Sequence, residues 1–309
     1  MGNANAEFFR GLLWEERMTM QVTVARLSGF CPGVKQALRL AEAALKKQTG
    51  PVYTIGPLIH NPQEVNRLQA MGLRILPDRP EELKRLNLKG SSVILRSHGA
   101  SPALRQLLES KKANVVDATC AMVRSTQESA VKLAEEGYEL IIVGSPDHPE
   151  VQAIQAYAGK AVVTEDAEEL QRWVKERGRS RGKVGVIAQT TVDRASLQEI
   201  IDLLLPQARE MKIYNTICKS TATRQREAAR LARQVDLMLV VGGRNSSNTS
   251  HLRAVSESFG TPTRHIETAA ELDAAWFAGA RRVGVIGGAS TPDWIADEIV
   301  AEIARLTSA

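Results

Sequence analysis

Short apolar runs such as VYTIG, LIIVG and LMLVVG alternate along the chain with longer stretches in which apolar residues recur every three or four positions. The first pattern predicts buried strands and the second amphipathic helices. The alternation repeats three times. Each unit opens with a short β-type run, a cysteine and a helical stretch: QVTVARLSGFCPGVKQALRLAEAAL, NVVDATCAMVRSTQESAVKLAEEG and KIYNTICKSTATRQREAARLARQ. A strand ending in Gly, a polar loop and a second helix follow. A weaker strand then leads into an acidic helix start (RPEELKRL, DAEELQRW, TAAELDAAW). The last strand ends in a small polar cluster before a final helix: SVILRSHGASPALRQLL, KVGVIAQTTVDRASLQEII and RVGVIGGASTPDWIADEIV. Internal repetition of this kind is read before any single element. It divides the chain into residues 1–19, an appendage, and three α/β repeats at 20–111, 112–210 and 211–309.

Strands alternating with helices predict parallel sheets, whose ligands bind outside the carboxyl ends of the strands. The expected fold class is therefore α/β, three pseudo-equivalent small parallel-sheet domains in a trefoil around a central cavity. Matched offsets support the register. His60, His148 and Ser246 lie 28 or 29 residues beyond their cysteines, and His98, Thr190 and Ser290 lie 67 to 72 beyond them.

Composition narrows the class. The 309 residues are 43% hydrophobic and 24% charged, as in an ordinary globular protein. The longest apolar run, in DLMLVVGG, is far short of the ~20 residues that a bilayer crossing needs, so no membrane span is expected. A net charge of +5 suits phosphate ligands or an acidic protein partner. Aromatic residues are only 4% and do not interleave with basic runs, which argues against nucleic acid. An odd count of three cysteines excludes a fully paired disulfide framework and points to a reducing, cytoplasmic compartment. The first twenty residues lack a secretory core. The basic stretch KERGRSRGK reads as a solvated loop.

A single cysteine is most simply a small buried hydrophobe. Cys31, Cys120 and Cys218 occupy equivalent places, however, and together they suit either zinc with an open fourth position or an iron–sulfur cluster. Spacing alone does not choose between the two. His60, His98, His148, Ser246, Ser247, Asn248 and Ser290 stand at strand ends before helix starts, where N–H and O–H groups face an anion. Taken singly, the serines and Asn248 read equally as helix caps. Glu150 in HPEV is the carboxylate beside a repeat-equivalent histidine, suited to holding a proton for donation. It also fits as a first-turn helix acid. His251 and His265 fall outside the repeat register. GGRNSSN and GGAST match neither a Walker loop nor a dinucleotide fingerprint. A non-catalytic cluster protein and a zinc hydrolase acting on a phosphorylated substrate stay open as alternatives.

The motifs GFCPGV, GPLIHNPQEV, RSHG, DATC, HPEV, AQTT, NTIC with TATRQ, GGRNSSNT and GGASTPD occur in this order. From about Met20 onward, the chain resembles the 4-hydroxy-3-methylbut-2-enyl diphosphate reductases of the methylerythritol phosphate route to isoprenoids. The resemblance implies an oxygen-sensitive 4Fe-4S cluster held by Cys31, Cys120 and Cys218, with one iron not bound by a cysteine. It implies that His60, His98, Ser246, Ser247, Asn248 and Ser290 hold the substrate diphosphate. His148 matches a further active-site histidine, Glu150 a proton-relay glutamate and Thr190 a threonine near the substrate hydroxyl. A reduced ferredoxin or flavodoxin is the expected electron donor. Ala121, Ala153 and Ser220 depart from the family pattern.

Overall fold

The structure is a computed structural model describing residues 20–47, 49–177 and 182–308. The appendage at 1–19 and residues 178–181 of the basic stretch lie outside these. The first unit runs β1 (Gln21–Val24), α1 (Pro32–Lys47), β2 (Val52–Ile55), α2 (Pro62–Ala70), β3 (Leu73–Leu76), α3 (Pro80–Lys84), β4 (Ser92–Leu95) and α4 (Pro102–Ser110). The second runs β5 (Asn114–Asp117), α5 (Ala121–Glu135), β6 (Glu139–Val143), α6 (Pro149–Ala158), β7 (Ala161–Thr164), α7 (Ala167–Arg177), β8 (Lys183–Ala188) and α8 (Arg194–Leu204). The third runs β9 (Glu210–Ile213), α9 (Lys219–Ala232), β10 (Leu237–Val241), α10 (Ser247–Glu257), β11 (Thr263–Ile266), β12 (Arg282–Gly287) and α11 (Asp293–Thr307).

One expected helix is absent. TAAELDAAW forms two short 3-10 turns, Ala269–Glu271 and Ala274–Phe277, separated by an extended Leu272. Asp273 is the cause: its carboxylate accepts from the Ala275 N–H and starts a new turn in place of continuing the first.

All strand pairs are parallel. The three sheets have orders β3-β2-β4-β5, β7-β6-β8-β9 and β11-β10-β12-β1. The sheets are thus one strand out of step with the sequence units. The opening strand of the second unit completes the first sheet, that of the third completes the second, and β1 returns to close the third. Those strands are four residues long and partly exposed, as suits sheet edges.

Each central strand is buried on both faces, which is why it reads as a continuous apolar run. In β6, Leu140 and Ile142 pack with Ala130, Leu133, Val151 and Ile154 of α5 and α6. The alternate Ile141 and Val143 pack with Leu170, Leu197 and Ile200 of α7 and α8. The third sheet repeats the scheme, with Met238 and Val240 on one face and Leu237, Leu239 and Val241 on the other. Each such side chain stabilises by roughly 1.5–3 kcal/mol when removed from water. No helix of the described residues is long and apolar enough to cross a membrane.

Candidate active site

Three equivalent hydrogen bonds fix the cysteines. The backbone N–H of Cys31 donates to Ala289 O at 2.9 Å, that of Cys120 to Ser97 O at 3.0 Å and that of Cys218 to Thr190 O at 2.9 Å. Each acceptor is the second residue beyond its strand, after β12, β4 and β8 respectively. This sets the register independently of sequence spacing and corrects it by one place. Ser97, Thr190 and Ala289 are equivalent, so His98 and Ser290 correspond to Thr191, not to Thr190. By contrast, His60, His148 and Ser246 each fall fifth beyond β2, β6 and β10, as the sequence offsets predict.

The ends of the strands face one another across a cavity of about 100 Å³. Every predicted site residue lines it: Cys31, Cys120, Cys218, His60, His98, His148, Glu150, Thr190, Ser246, Ser247, Asn248 and Ser290. It has room for far more than one water. Cys120 and Cys218 are the N-caps of α5 and α9, His148 and Ser246 those of α6 and α10, and α1 starts directly after Cys31. The positive ends of these helix dipoles thus gather around the cavity.

The cysteines are free and half-buried. The Val34 N–H donates to Cys31 Sγ at 3.4 Å. Burial raises the Cys120 thiol pKa, opposed by the N–H groups of Met122 and Val123, while the nearby Cys31 and Cys218 add to the rise. Gly33 keeps this space open: a Cβ there would lie 2.7 Å from Cys120 Sγ and 3.9 Å from Cys31 Sγ. Three converging thiols over a backbone stripped of side chain form a cradle that fits a group larger than one atom.

Opposite the thiols stand the histidines. Ring centroids of His60 and His98 are 4.4 Å apart, those of His60 and His148 5.5 Å, and those of His98 and His148 5.3 Å. Burial, with the Arg96 charge adding to it, lowers His60 to about 4. Burial likewise lowers His148 to about 3, with the charges of His60 and Arg96 next in weight. His98 falls well below its ordinary value, chiefly by burial and then through its two histidine neighbours. All three are neutral at pH 7. The tautomer of His148 follows from its cap: Nδ1 accepts from the Glu150 N–H at 3.1 Å, so the proton sits on Nε2.

Several polar atoms here have no protein partner: both ring nitrogens of His60, His98 Nδ1, and both side-chain atoms of Asn248. An unsatisfied buried polar group costs about 1–3 kcal/mol. So many around one cavity point to a polar ligand. The backbone around them is held firmly. Ser290 Oγ donates to His60 O at 3.0 Å, and Gly243 lets the α10 loop approach that carbonyl, which a Cβ would meet at 2.5 Å. Thr191, which the sequence reading passed over, joins the second unit to the third through a 2.8 Å hydrogen bond with Ser247 Oγ. Ser246 also accepts from the Thr249 N–H, so its capping role and its place at the cavity coexist.

Glu150 is 2% exposed. Oε1 accepts from the Thr190 N–H at 2.6 Å and Oε2 from Thr190 Oγ1 at 2.9 Å. Burial outweighs both hydrogen bonds and pushes its pKa up to about 7. The Thr190 N–H can only donate, whereas its hydroxyl can donate to the ionised carboxylate or accept from the protonated one, so Oε2 is the oxygen suited to carry the proton. His251 and His265 serve the backbone instead, with ring nitrogens 2.8 Å from Ser247 O and Gly242 O.

Three parallel α/β units meeting at a cavity of three cysteines, a histidine trio and an unpartnered amide define a trefoil protein with a cysteine-centred site. A family model described as LytB protein matches residues 22–304, and the chain belongs to that family. A relative from Aquifex aeolicus, 4-hydroxy-3-methylbut-2-enyl diphosphate reductase, is 41% identical over 93% of this chain and 97% of its own length. One of the same name from Geobacter sulfurreducens is 44% identical over 92% and 97%. A solved structure of (E)-4-hydroxy-3-methyl-but-2-enyl diphosphate reductase is 40% identical and covers 93% of this chain and 100% of its own, with a TM-score of 0.65. The Plasmodium falciparum reductase structure, 24% identical, covers 93% and 88% and shares the fold with a TM-score of 0.84.

Glu150 should be protonated below about pH 7 and ionised above it. Infrared difference titration of the protein should show a protonated carboxyl band lost as pH rises through about 7 and missing in Glu150→Gln. Thr190→Val removes only the hydrogen bond to Oε2, which favours the charged form, so it should move that loss to higher pH. A carboxyl that ionises at the ordinary glutamate value would contradict the burial argument.

Proposed function

We infer that the chain is an iron–sulfur reductase converting 4-hydroxy-3-methylbut-2-enyl diphosphate to isopentenyl and dimethylallyl diphosphate by two-electron reductive dehydration. The observation that carries this reading is the meeting, in one cavity of a LytB-family chain, of three equivalent cysteines and a ring of unpartnered neutral donors. Cys31, Cys120 and Cys218 would hold a 4Fe-4S cluster, one iron of which would be left without a cysteine. When bound, that cluster supplies the electrons and a Lewis-acidic iron that loosens an allylic carbon–oxygen bond.

The diphosphate is held by His60, His98, Ser246, Ser247, Asn248 and Ser290. Neutral imidazoles, the Asn248 amide and the serine hydroxyls donate hydrogen bonds, Ser290 turning its hydroxyl from the His60 carbonyl to do so, and the helix starts beside them add partial positive charge. This remote binding positions the reacting carbon. His148 adds a donor through Nε2–H. The reaction consumes two electrons and two protons: one proton leaves with the hydroxyl as water, and the other goes to the allylic carbon. Glu150 holds a proton on Oε2, and the rotatable Thr190 hydroxyl beside it passes that proton toward the cavity.

A second reading has one specific observation behind it. Ring nitrogens of His60, His98 and His148 lie within 4.8 Å of one another, close enough to ligate one metal ion. That would suit a zinc hydrolase of phosphorylated substrates, but it leaves three equivalent cysteines without a role. Anaerobic isolation decides between them. The protein should be brown, with four iron and four sulfide per chain, and replacing any of the three cysteines with Ser should strip or degrade the cluster. Colourless protein holding zinc would overturn the reading.

For the chemistry, Glu150→Gln should keep the cluster and bind substrate almost normally while turnover falls by roughly 10² or more, the scale for loss of a general acid. His60→Ala and Asn248→Ala should instead weaken inorganic diphosphate binding and leave the cluster spectrum unchanged. Near-normal turnover in Glu150→Gln under saturating reductant would move the proton source elsewhere.

The electron donor is a reduced ferredoxin or flavodoxin, and the compartment is the cytoplasm. Support for an acidic donor comes from the three cysteine helices, whose first turns have no acid. Each instead carries an exposed cation, Lys35, Arg124 or Lys219. Arg124 and Arg105 share the Asp117 carboxylate, leaving positive charge in excess. Turnover with either donor should therefore weaken as salt rises. Salt-insensitive turnover, or turnover with NADPH and no protein mediator, would contradict this.

A further inference from the structure

Arg224 is the only fully buried arginine among the described residues, at 3% exposure. It lies on α9, within two turns of Cys218. Its guanidinium reaches in two directions. Nη2 donates to Gly29 O at 2.6 Å, two residues before Cys31. Nη1 donates to Ser220 Oγ, two residues after Cys218, and Ser220 lines the cavity. The third nitrogen, Nε, is buried without a partner. Its hydrogen bonds go to a carbonyl and a hydroxyl, and no carboxylate of the described residues forms an ion pair with it.

A buried cation in such surroundings is costly unless negative charge stands nearby. Burial lowers the pKa of Arg224, and the groups that oppose this are Cys31, Cys218 and then Asp293. Asp293 is exposed and packs against Gly29. The guanidinium therefore joins the two cysteine loops and sets one positive charge beside them.

We propose that Arg224 is a positioning residue of the cysteine centre, which clamps the Cys31 loop to the Cys218 turn and whose charge sets the reduction potential of the group held there. The proposal rests on the reading that the cysteines hold an iron–sulfur cluster. Adding an electron makes that centre more negative, so a fixed neighbouring cation stabilises the reduced form more than the oxidised one. Removing the cation should make reduction harder. Ser220, a departure from the family pattern, supplies one of the two hydrogen bonds and so ties this local difference to the clamp.

The test compares wild type with Arg224→Gln, Arg224→Lys and Asp293→Asn, all isolated anaerobically. Iron and sulfide are assayed first, and the midpoint potential is then followed by electron paramagnetic resonance. Arg224→Gln should lower the equilibrium constant for one-electron reduction about tenfold, a shift of about 59 mV to more negative potential. Arg224→Lys, which keeps the charge, should shift it much less. Asp293→Asn leaves both hydrogen bonds of Arg224 in place and should move the potential in the opposite direction.

A full cluster with unmoved potential in Arg224→Gln would overturn the proposal. Equal shifts in the Gln and Lys variants would leave only a structural clamp and would also overturn it. Should Arg224→Gln lose its cluster, Asp293→Asn decides, and an unmoved potential there counts against the charge. Wild type without iron would instead sink the functional reading on which the proposal stands.

Discussion

The hydrogen bond from each cysteine N–H to a loop carbonyl of the neighbouring sheet is the constraint on which the centre depends. It exists because each sheet borrows its last strand from the next unit. The borrowed strand brings its following loop to the carboxyl ends of the host strands. There the amides of Cys31, Cys120 and Cys218 meet the carbonyls of Ala289, Ser97 and Thr190. No unit can place its own cysteine alone. Closing the third sheet with β1 ties the first unit to the third, so three thiols converge without a short local motif to hold them.

A threefold frame would give threefold chemistry if equivalent positions carried equal residues, and they do not. The fifth position beyond the second strand of each unit holds His60, His148 or Ser246, while His98, Thr191 and Ser290 occupy the matched place after the fourth strand. The first and third units therefore contribute donors with open valences. The second unit alone adds a carboxyl to the cavity lining, because HPEV makes Glu150 a first-turn residue directed toward Thr190, whereas the buried Glu64 of the first unit pairs with Arg67 outside it. Repetition fixes where groups meet, and substitution within the repeat decides which side of the cavity offers unpartnered polar atoms and which side a buried carboxyl.

Much of this was legible in the sequence because strand ends, caps and repeat offsets are local features. VYTIG, LIIVG and LMLVVG locate strands whose polar successors do line the cavity. Partner choice was not legible, since an apolar run identifies a strand without identifying its neighbour. Hence the units at 20–111, 112–210 and 211–309 are one strand out of step with the sheets. Thr190 and Thr191 are adjacent and chemically alike, so only the hydrogen bond from Cys218 separates their places. Asp273 looked like one more polar residue of a helix start, although its side chain restarts the turn. Arg224 lay inside TATRQ with nothing in its spacing to signal burial, because its two partners, at 29 and 220, come together only in the folded chain.

The same burial has opposite effects on acids and bases, and the site uses both. Desolvation disfavours any charged form, lowering His60 and His148 to about 4 and 3 and raising Glu150 to about 7. The histidine ring is thereby neutral at neutral pH, and the carboxyl is poised to hold a proton. A cavity so prepared carries little fixed side-chain charge of its own on the histidine side. Its positive potential comes from helix starts set before any ligand arrives, since Arg96, whose charge helps lower the histidines, is itself paired with Asp78. An anion entering it would meet oriented dipoles that need no rearrangement, while the Glu150 carboxyl, raised to about 7, takes up and releases its proton near neutral pH. One physical term, the cost of charge in a dry interior, thus prepares both halves of the cavity.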